Sequence, residues 1–211
     1  MIEKTERTTP SRYASQRGSH DENVIFPILD EALFCTISYA EGNQPFSIPQ
    51  SFVRMGNYIY LHGSVGSHFI RTLADGRPVC LSVMLADEIV VAKTAFNHSV
   101  NYRSVVIFST GEVIEDQQLK YDAFKALTEK MVPGSWDYLK PMTEKEMAKT
   151  TAIGFPIIEA SAKVRQGEPG QVETEMGLPI WTGLIPIKPI RQQPIPDDYG
   201  KKLPLPEHLK Y

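Results

Sequence analysis

The sequence predicts a mainly β protein interrupted by helices, a mostly antiparallel sheet closed into a small barrel. Strand-like runs rich in β-branched and aromatic residues follow one another quickly. Short turns separate several of them: Glu41-Gly42-Asn43, Arg54-Met55-Gly56-Asn57 and Ala86-Asp87-Glu88. That close spacing fits hairpin-connected strands better than the long crossovers of a parallel sheet.

The elements are expected in the following order. Residues 1–20 form a polar segment, poorly ordered unless it packs on a partner. Ile25, Ile28, Leu29 and Leu33 recur at helical spacing, and Pro27 is tolerable only near the first turn of that helix. Strand runs then span 34–39, 46–54, 58–62, 79–85, 89–94, 103–114, 152–164 and 181–187. Three further helices lie among them. One starts behind the cap Ser67 and ends at Asp75-Gly76. The second runs over 117–131, with Leu119, Ala123, Ala126, Leu127 and Met131 broadly on one face. The third begins at a capping box of Thr143 and Glu146. The core domain is set at 21–189, and residues 190–211 are a Pro-rich arm; six prolines fall between Ile185 and Tyr211. No internal repeat is visible.

Composition excludes several classes. A net charge of −3, from 22 basic and 25 acidic residues, offers no field for nucleic acid. No apolar run reaches membrane-spanning length and residues 1–17 hold no apolar signal core, so a soluble, cytoplasmic protein is expected. Cys35 and Cys80 each sit in an apolar stretch and read as buried, reduced thiols, with no metal site. CxxC, HExxH, P-loop and GxGxxG motifs are all absent, as are a catalytic triad and paired carboxylates.

What remains is a capacity to hold an anionic, aromatic ligand. Tyr102, Arg103 and Ser104 put a ring, a cation and a hydroxyl at the mouth of the apolar strand 105–108. Between Tyr58 and Arg71, a strand ends at His62, a glycine-bearing turn follows, and a helix starts near Ser67. Backbone N–H groups and the hydroxyls of Ser64 and Ser67 would there face a phosphate, with His62, His68 or Arg71 as the cation. Alternation places Ser161, Lys163 and Arg165 on one strand face. Trp181 offers an indole that can stack on a ligand or fill the core. Such donors, without an acid–base pair, suit a cofactor that carries its own chemistry.

These segments together resemble the FMN-binding split-barrel proteins related to pyridoxamine 5′-phosphate oxidase, in the branch that includes the nitroimidazole-resistance proteins. The resemblance runs from about Arg17 to Pro189, through Ile28-Leu29-Asp30-Glu31, Ile48-Pro49, Tyr60-Leu61-His62-Gly63-Ser64, Phe96-Asn97-His98-Ser99, Asn101-Tyr102-Arg103-Ser104-Val105, Ser161-Ala162-Lys163-Val164-Arg165 and Trp181-Thr182-Gly183. It implies a homodimer of six-stranded antiparallel split β-barrels with flanking helices and one FMN in each interface cleft. It assigns the phosphate to His62, Gly63, Ser64, Ser67 and His68, and the isoalloxazine lining to Pro49, Gln50, Ser51 and Phe52. Arg103 and Ser104 would meet the ring and phosphate side; Ser161, Lys163 and Arg165 would close the site. Relatives commonly carry Arg where this chain has His68, a weaker and pH-dependent phosphate partner that Arg71 could supplement.

The expected activity is electron transfer from reduced flavin to a small planar acceptor, nitroreductase-like, with His62 and Tyr102 on the acceptor side. NAD(P)H bound over the flavin, or a separate reductase, would supply the electrons. The alternative is a non-catalytic flavin- or haem-binding protein, for which His20, His62, His68, His98 and His208 are the available imidazoles. The substrate segment of pyridoxamine 5′-phosphate oxidase itself, Arg-x-His-x-Arg, is missing from the C-terminal region.

Overall fold

A computed structural model describes residues 1–9, 14–170 and 173–211. After α1 (Ala14–Arg17) and β1 (Gly18–Ser19) comes α2 (Glu22–Glu31), then a β2–β3 hairpin (Phe34–Glu41, Gln44–Ser51) and a β4–β5 hairpin (Val53–Met55, Tyr58–Ser64). Helix α3 (His68–Leu73) leads into the long strands β6 (Pro78–Val91) and β7 (Ser99–Thr110), then short β8 (Glu112–Val113). Helices α4 (Gln117–Met131) and α5 (Glu144–Ala148) precede β9 (Thr150–Pro156) and β10 (Glu159–Arg165), and β11 (Gly183–Pro186) lies in the arm. All ladder pairings between these strands are antiparallel.

The strands form two sheets. One has seven strands, in the order β1-β10-β7-β6-β2-β3 with β11 also on β6; the other has four, in the order β4-β5-β9-β8. Their inner faces share one core that includes Ile37, Ile59, Leu61, Leu81, Ile107, Ile153 and Phe155. Helix α2 contributes Ile25, Ile28 and Leu29 to that core. The architecture is mainly antiparallel sheet with flanking helices, consistent with a split barrel.

Where the strands end differs from the sequence expectation, and the cause is specific. Three runs that read as continuous (46–54, 103–114 and 152–164) are each cut where the chain crosses from one sheet to the other, at Phe52, at Gly111 and at Ile157-Ile158. Both sheets face the same core, so buried residues continue on both sides of each corner, although the alternation changes phase at the last one, from Phe155 and Ile157 to Ala160 and Ala162. Gly111 is required at its corner, since a Cβ there would lie 2.5 Å from the Leu73 carbonyl oxygen. The opposite error occurs at Ala86-Asp87-Glu88, where the expected turn is a bulge inside one strand, β6.

The helices follow their caps. Asp21 accepts from the Asn23 N–H at 2.8 Å and starts α2 earlier than the apolar spacing suggested, so Pro27 sits mid-helix. Ser67 caps α3, and Thr143 and Glu146 close the expected box on α5. Among the described residues, no helix is long and apolar enough to cross a membrane. The first nine residues, expected to be loose, lie against β10: Glu3 bridges to Glu159, and Thr5 and Arg7 both donate to the Glu159 carboxylate. Those donors hold the Glu159 acid down at about 2.

Candidate functional site

The two sheets treat their outer faces differently. On the four-stranded sheet, helix α4 lies across β4 and β5, and Val53 and Tyr60 pack with Ala123 and Leu127. His62 belongs to this covered face. Its ring meets Phe124 edge-on, with centroids 4.8 Å apart, and burial lowers its pKa. It therefore stands under a helix of its own chain rather than in an open cleft.

On the seven-stranded sheet, the register brings distant segments into rows. Lys163 lies opposite Ser104, which lies opposite Met84 on its other side. One row along, Ser161, Val106, Ser82, Thr36 and Pro49 align across five strands. Arg165 pairs with Tyr102, which pairs with Ala86. Opposed residues share a face, so Pro49, Tyr102, Ser104, Ser161, Lys163 and Arg165 occupy one outer surface. Among the described residues no helix covers Met84, which is 62% exposed, or Phe34, which is 58% exposed. The bulge at Asp87 changes the parity of β6, so exposed Ile89 and its β11 neighbour Ile185 extend the same surface.

The polar groups on this face differ in their commitments. Among the described residues, Lys163 and Tyr102 make no side-chain hydrogen bond or ion pair. Ser104 donates to the Lys163 carbonyl at 3.2 Å, and Arg165 donates to Asn101. Arg103 points the other way. Its guanidinium forks between Asp87 (2.7 Å) and Glu31 (2.5 Å), ties the bulge to the end of α2, and is shifted to a still higher pKa by those hydrogen bonds. The sequence cluster Tyr102-Arg103-Ser104 is thus divided: ring and hydroxyl on the outer face, cation in an internal ion network.

The segment 49–52 divides likewise. Pro49 and Ser51 share the outer face, whereas Gln50 pairs with buried Cys35. Phe52 is fully buried, with the Lys130 ammonium 3.8 Å from its ring centroid. Lys130 donates to the Leu29 carbonyl, and desolvation brings it down to about 8. The turn residues lie elsewhere again. Gly63 is a packing glycine, since a Cβ would meet Ile70 at 2.5 Å. Ser64 accepts from Gly66 N–H, and Ser67 serves as the α3 cap. His68 faces Glu41 at 3.3 Å, and it shares with Arg71, Arg77 and Asp75 an open cleft of about 560 Å³. Trp181 is 65% exposed and lies against Gly183, outside the core.

A second groove, of about 510 Å³, opens on the outer face beside β2 and β3, lined by residues that sequence reasoning missed. Arg7 stacks over Phe108 at 4.4 Å, Ser38 and Ser47 hydroxyls meet at 3.1 Å, and Cys80 lies on the floor. Cys80 is only half-buried, unlike the expectation; Cys35 is buried as expected, and its thiol is pushed up to about 12. Arg7 carried no local signal, because its partner Glu159 is distant in sequence. No group of three or more metal-ligating side chains occurs among the described residues.

Residues 21–164 match the family model described as pyridoxamine 5′-phosphate oxidase. This chain belongs to that family. Within the pyridoxamine 5′-phosphate oxidase family, it is similar along almost its whole length to the flavocytochrome Anf3 from Azotobacter vinelandii. The identity is 32%, the TM-score 0.87, and the match covers 97% of this chain and 95% of that one. It is similar also to the FAD and haem binding protein from Mycobacterium smegmatis, at 31% identity and TM-score 0.86, covering 92% of this chain and 95% of that one. A candidate 5-nitroimidazole antibiotic resistance protein from Bacteroides thetaiotaomicron shares the fold, at 18% identity and TM-score 0.59 over 70% of this chain and 86% of that one. Comparison with curated protein sequences gives no match. Residues 1–20 and those beyond 164 lie outside the span of the family model.

Proposed function

We propose that this chain is a flavin-binding redox protein whose cofactor lies on the outer face of the seven-stranded sheet, between two copies of the chain. The observation that carries the reading is Lys163, a cation without a partner among the described residues, set opposite Ser104 on an uncovered face. Lys163 and Arg165 suit a phosphate, Ser104 and Ser161 suit polar edges, and Tyr102 and Met84 offer ring and thioether surface. The isoalloxazine and first phosphate are common to FMN and FAD, so these residues serve either. A bound flavin supplies two-electron chemistry; the chain binds it, orients it and excludes water. The exposed apolar side chains of Phe34, Met84, Ile89 and Ile185 give a second copy something to cover, which supports a homodimer. The acceptor in this reading is a small planar molecule, and NAD(P)H or a separate reductase is the donor.

One observation favours a haem as well. His20 meets Thr8, His62 packs on Phe124, His68 faces Glu41 and His208 packs on Tyr138. Among the described residues, His98 is the imidazole left without a partner. It is exposed, two residues from Phe96, which is 94% exposed. An imidazole beside apolar surface fits an axial ligand, and the two relatives at 32% and 31% identity are named for haem or cytochrome content.

The test is an absorbance spectrum of purified protein after addition of flavin, then haemin, and gel filtration. Retained flavin bands, bleached by a donor and restored by a planar acceptor, support the redox reading. Flavin that washes out of the wild type overturns it, and a Soret band unaltered in His98→Ala removes His98 as a haem ligand. Light scattering that finds a flavin-loaded monomer overturns the shared site.

A further inference from the structure

We infer that Asn101 is a positioning residue for the phosphate end of the site. Its side-chain amide stands between Arg165 and the Glu88 carboxylate and keeps the two from pairing. The inference rests on the flavin reading above and deepens it, by giving the reason that Arg165 stays available to an anion.

Three long-range pairings meet at this amide. Glu88 lies opposite Asn101 in the β6–β7 ladder, just past the Asp87 bulge. Arg165 is the last residue of β10 and lies opposite Tyr102. Beyond it the chain turns back at Gly167, whose φ of 123° suits glycine. Asn101 itself is 1% exposed, and both polar atoms of its side chain are engaged. Oδ1 accepts from Arg165, while Nδ2 donates to Glu88 at 2.6 Å and to the Gly167 carbonyl at 3.0 Å. Only one amide orientation satisfies these partners, since a carboxylate and a carbonyl accept and a guanidinium donates. A buried amide so fully bonded is a fixed point rather than a mobile one.

The neighbouring arginine shows what the spacer prevents. No amide separates Arg103 from Asp87, and its guanidinium forks between Asp87 and Glu31, with its charge committed to two carboxylates. Arg165 also lies near a bulge carboxylate, yet among the described residues neither Arg165 nor Glu88 enters an ion pair. Each is bound to an opposite end of the Asn101 amide instead. That neutral group takes one donor of Arg165 and cancels none of its charge. The guanidinium is half-buried, so its remaining N–H groups can meet a phosphate held by Lys163. A shorter side chain at position 101 would let Arg165 and Glu88 close on each other and neutralise the site.

The experiment is a fluorescence titration of flavin-free protein with FMN and with riboflavin, which share the isoalloxazine and differ in the phosphate. Wild-type protein is expected to bind FMN at least about tenfold more tightly than riboflavin. Asn101→Ser should weaken FMN binding about fivefold or more and change riboflavin binding by less than about twofold. Adding Glu88→Gln to that variant should bring FMN affinity back to within about twofold of wild type, because no carboxylate remains to capture Arg165. A merely structural loss would not be rescued in this way. Should circular dichroism show that Asn101→Ser does not fold, Asn101→Asp has the same shape and sets a carboxylate directly on Arg165. It is expected to lower the preference for FMN over riboflavin, and an unchanged preference overturns the inference. Equal losses for FMN and riboflavin in Asn101→Ser, or no rescue by Glu88→Gln, overturn the positioning role and leave the flavin site standing. Equal wild-type affinities for the two ligands remove the phosphate role, and the inference with it. Failure of the wild type to bind either one overturns the flavin reading itself.

Discussion

The outer faces of the two sheets begin from similar material and end in opposite roles. On the four-stranded sheet, Tyr60, His62 and Val53 are covered by α4, and a histidine that resembled a site residue became part of a packing layer. On the seven-stranded sheet, no helix among the described residues lies across the rows of Lys163, Ser104 and Met84, and polar and apolar groups alike stay available. The lesson is that a side chain's chemistry is decided by what covers its face. His62 has the more reactive functional group, but Lys163 has the open surroundings.

Four outcomes would break or sharpen that contrast. The largest concerns truncation on each face. Leu127→Ala, at a 4% exposed position on the side of α4 that packs on the four-stranded sheet, should cost about 2–4 kcal/mol in denaturant unfolding. Met84→Ala, on the open face, should change folding stability by less than about 0.5 kcal/mol, while weakening self-association. Equal folding losses would erase the distinction between the faces.

Next, adjacent cations should separate function from structure. Lys163→Ala should lower flavin affinity about tenfold or more and leave the melting temperature nearly unchanged. Arg103→Ala leaves Glu31 and Asp87 without their shared cation and should cost about 1–2 kcal/mol of stability. If Arg103→Ala instead lowers flavin affinity with no thermal effect, the assignment of the two residues is reversed.

The third outcome is a pH dependence. Burial depresses the His62 pKa in the folded state, so the unfolded chain binds more protons once pH falls below its ordinary value of about 6.5. The contribution of neutral His62 is therefore complete above that value and declines as pH falls toward the folded pKa. His62→Phe should flatten this acid-side decline in melting curves; an undiminished slope would remove His62 from the covered layer.

The smallest is a labelling rate. Half-buried Cys80 should react with a thiol reagent before Cys35, whose thiol burial raises to about 12. Faster labelling of Cys35 would contradict its place in the core.

Much of this molecule was legible beforehand because the signals were local. Helix caps at Ser67 and Thr143, hairpin turns at Gly42 and Gly56 with φ of 59° and 56°, and the alternation of Ser161, Lys163 and Arg165 each depend on a few neighbouring residues. The corners at Phe52, Gly111 and Ile157 were not legible, because a chain that changes sheet goes on supplying apolar residues to the same core on both sides of the corner. The site was half-legible for a related reason. Sequence named most of the polar residues on the open face, yet it grouped them with Arg103, Phe52 and His62, whose neighbours are far away in the chain.

The sequence by itself determined that this is an antiparallel β protein of the pyridoxamine 5′-phosphate oxidase family, since local periodicity, turn chemistry and ordered motifs are properties of short segments. Only the tertiary structure decided which candidates share a surface. Register set Lys163 opposite Ser104, the Asp87 bulge carried Ile89 onto their face, and α4 covered one sheet while the other stayed open. Those are long-range pairings, fixed when the whole core closes, and no window of sequence contains both partners.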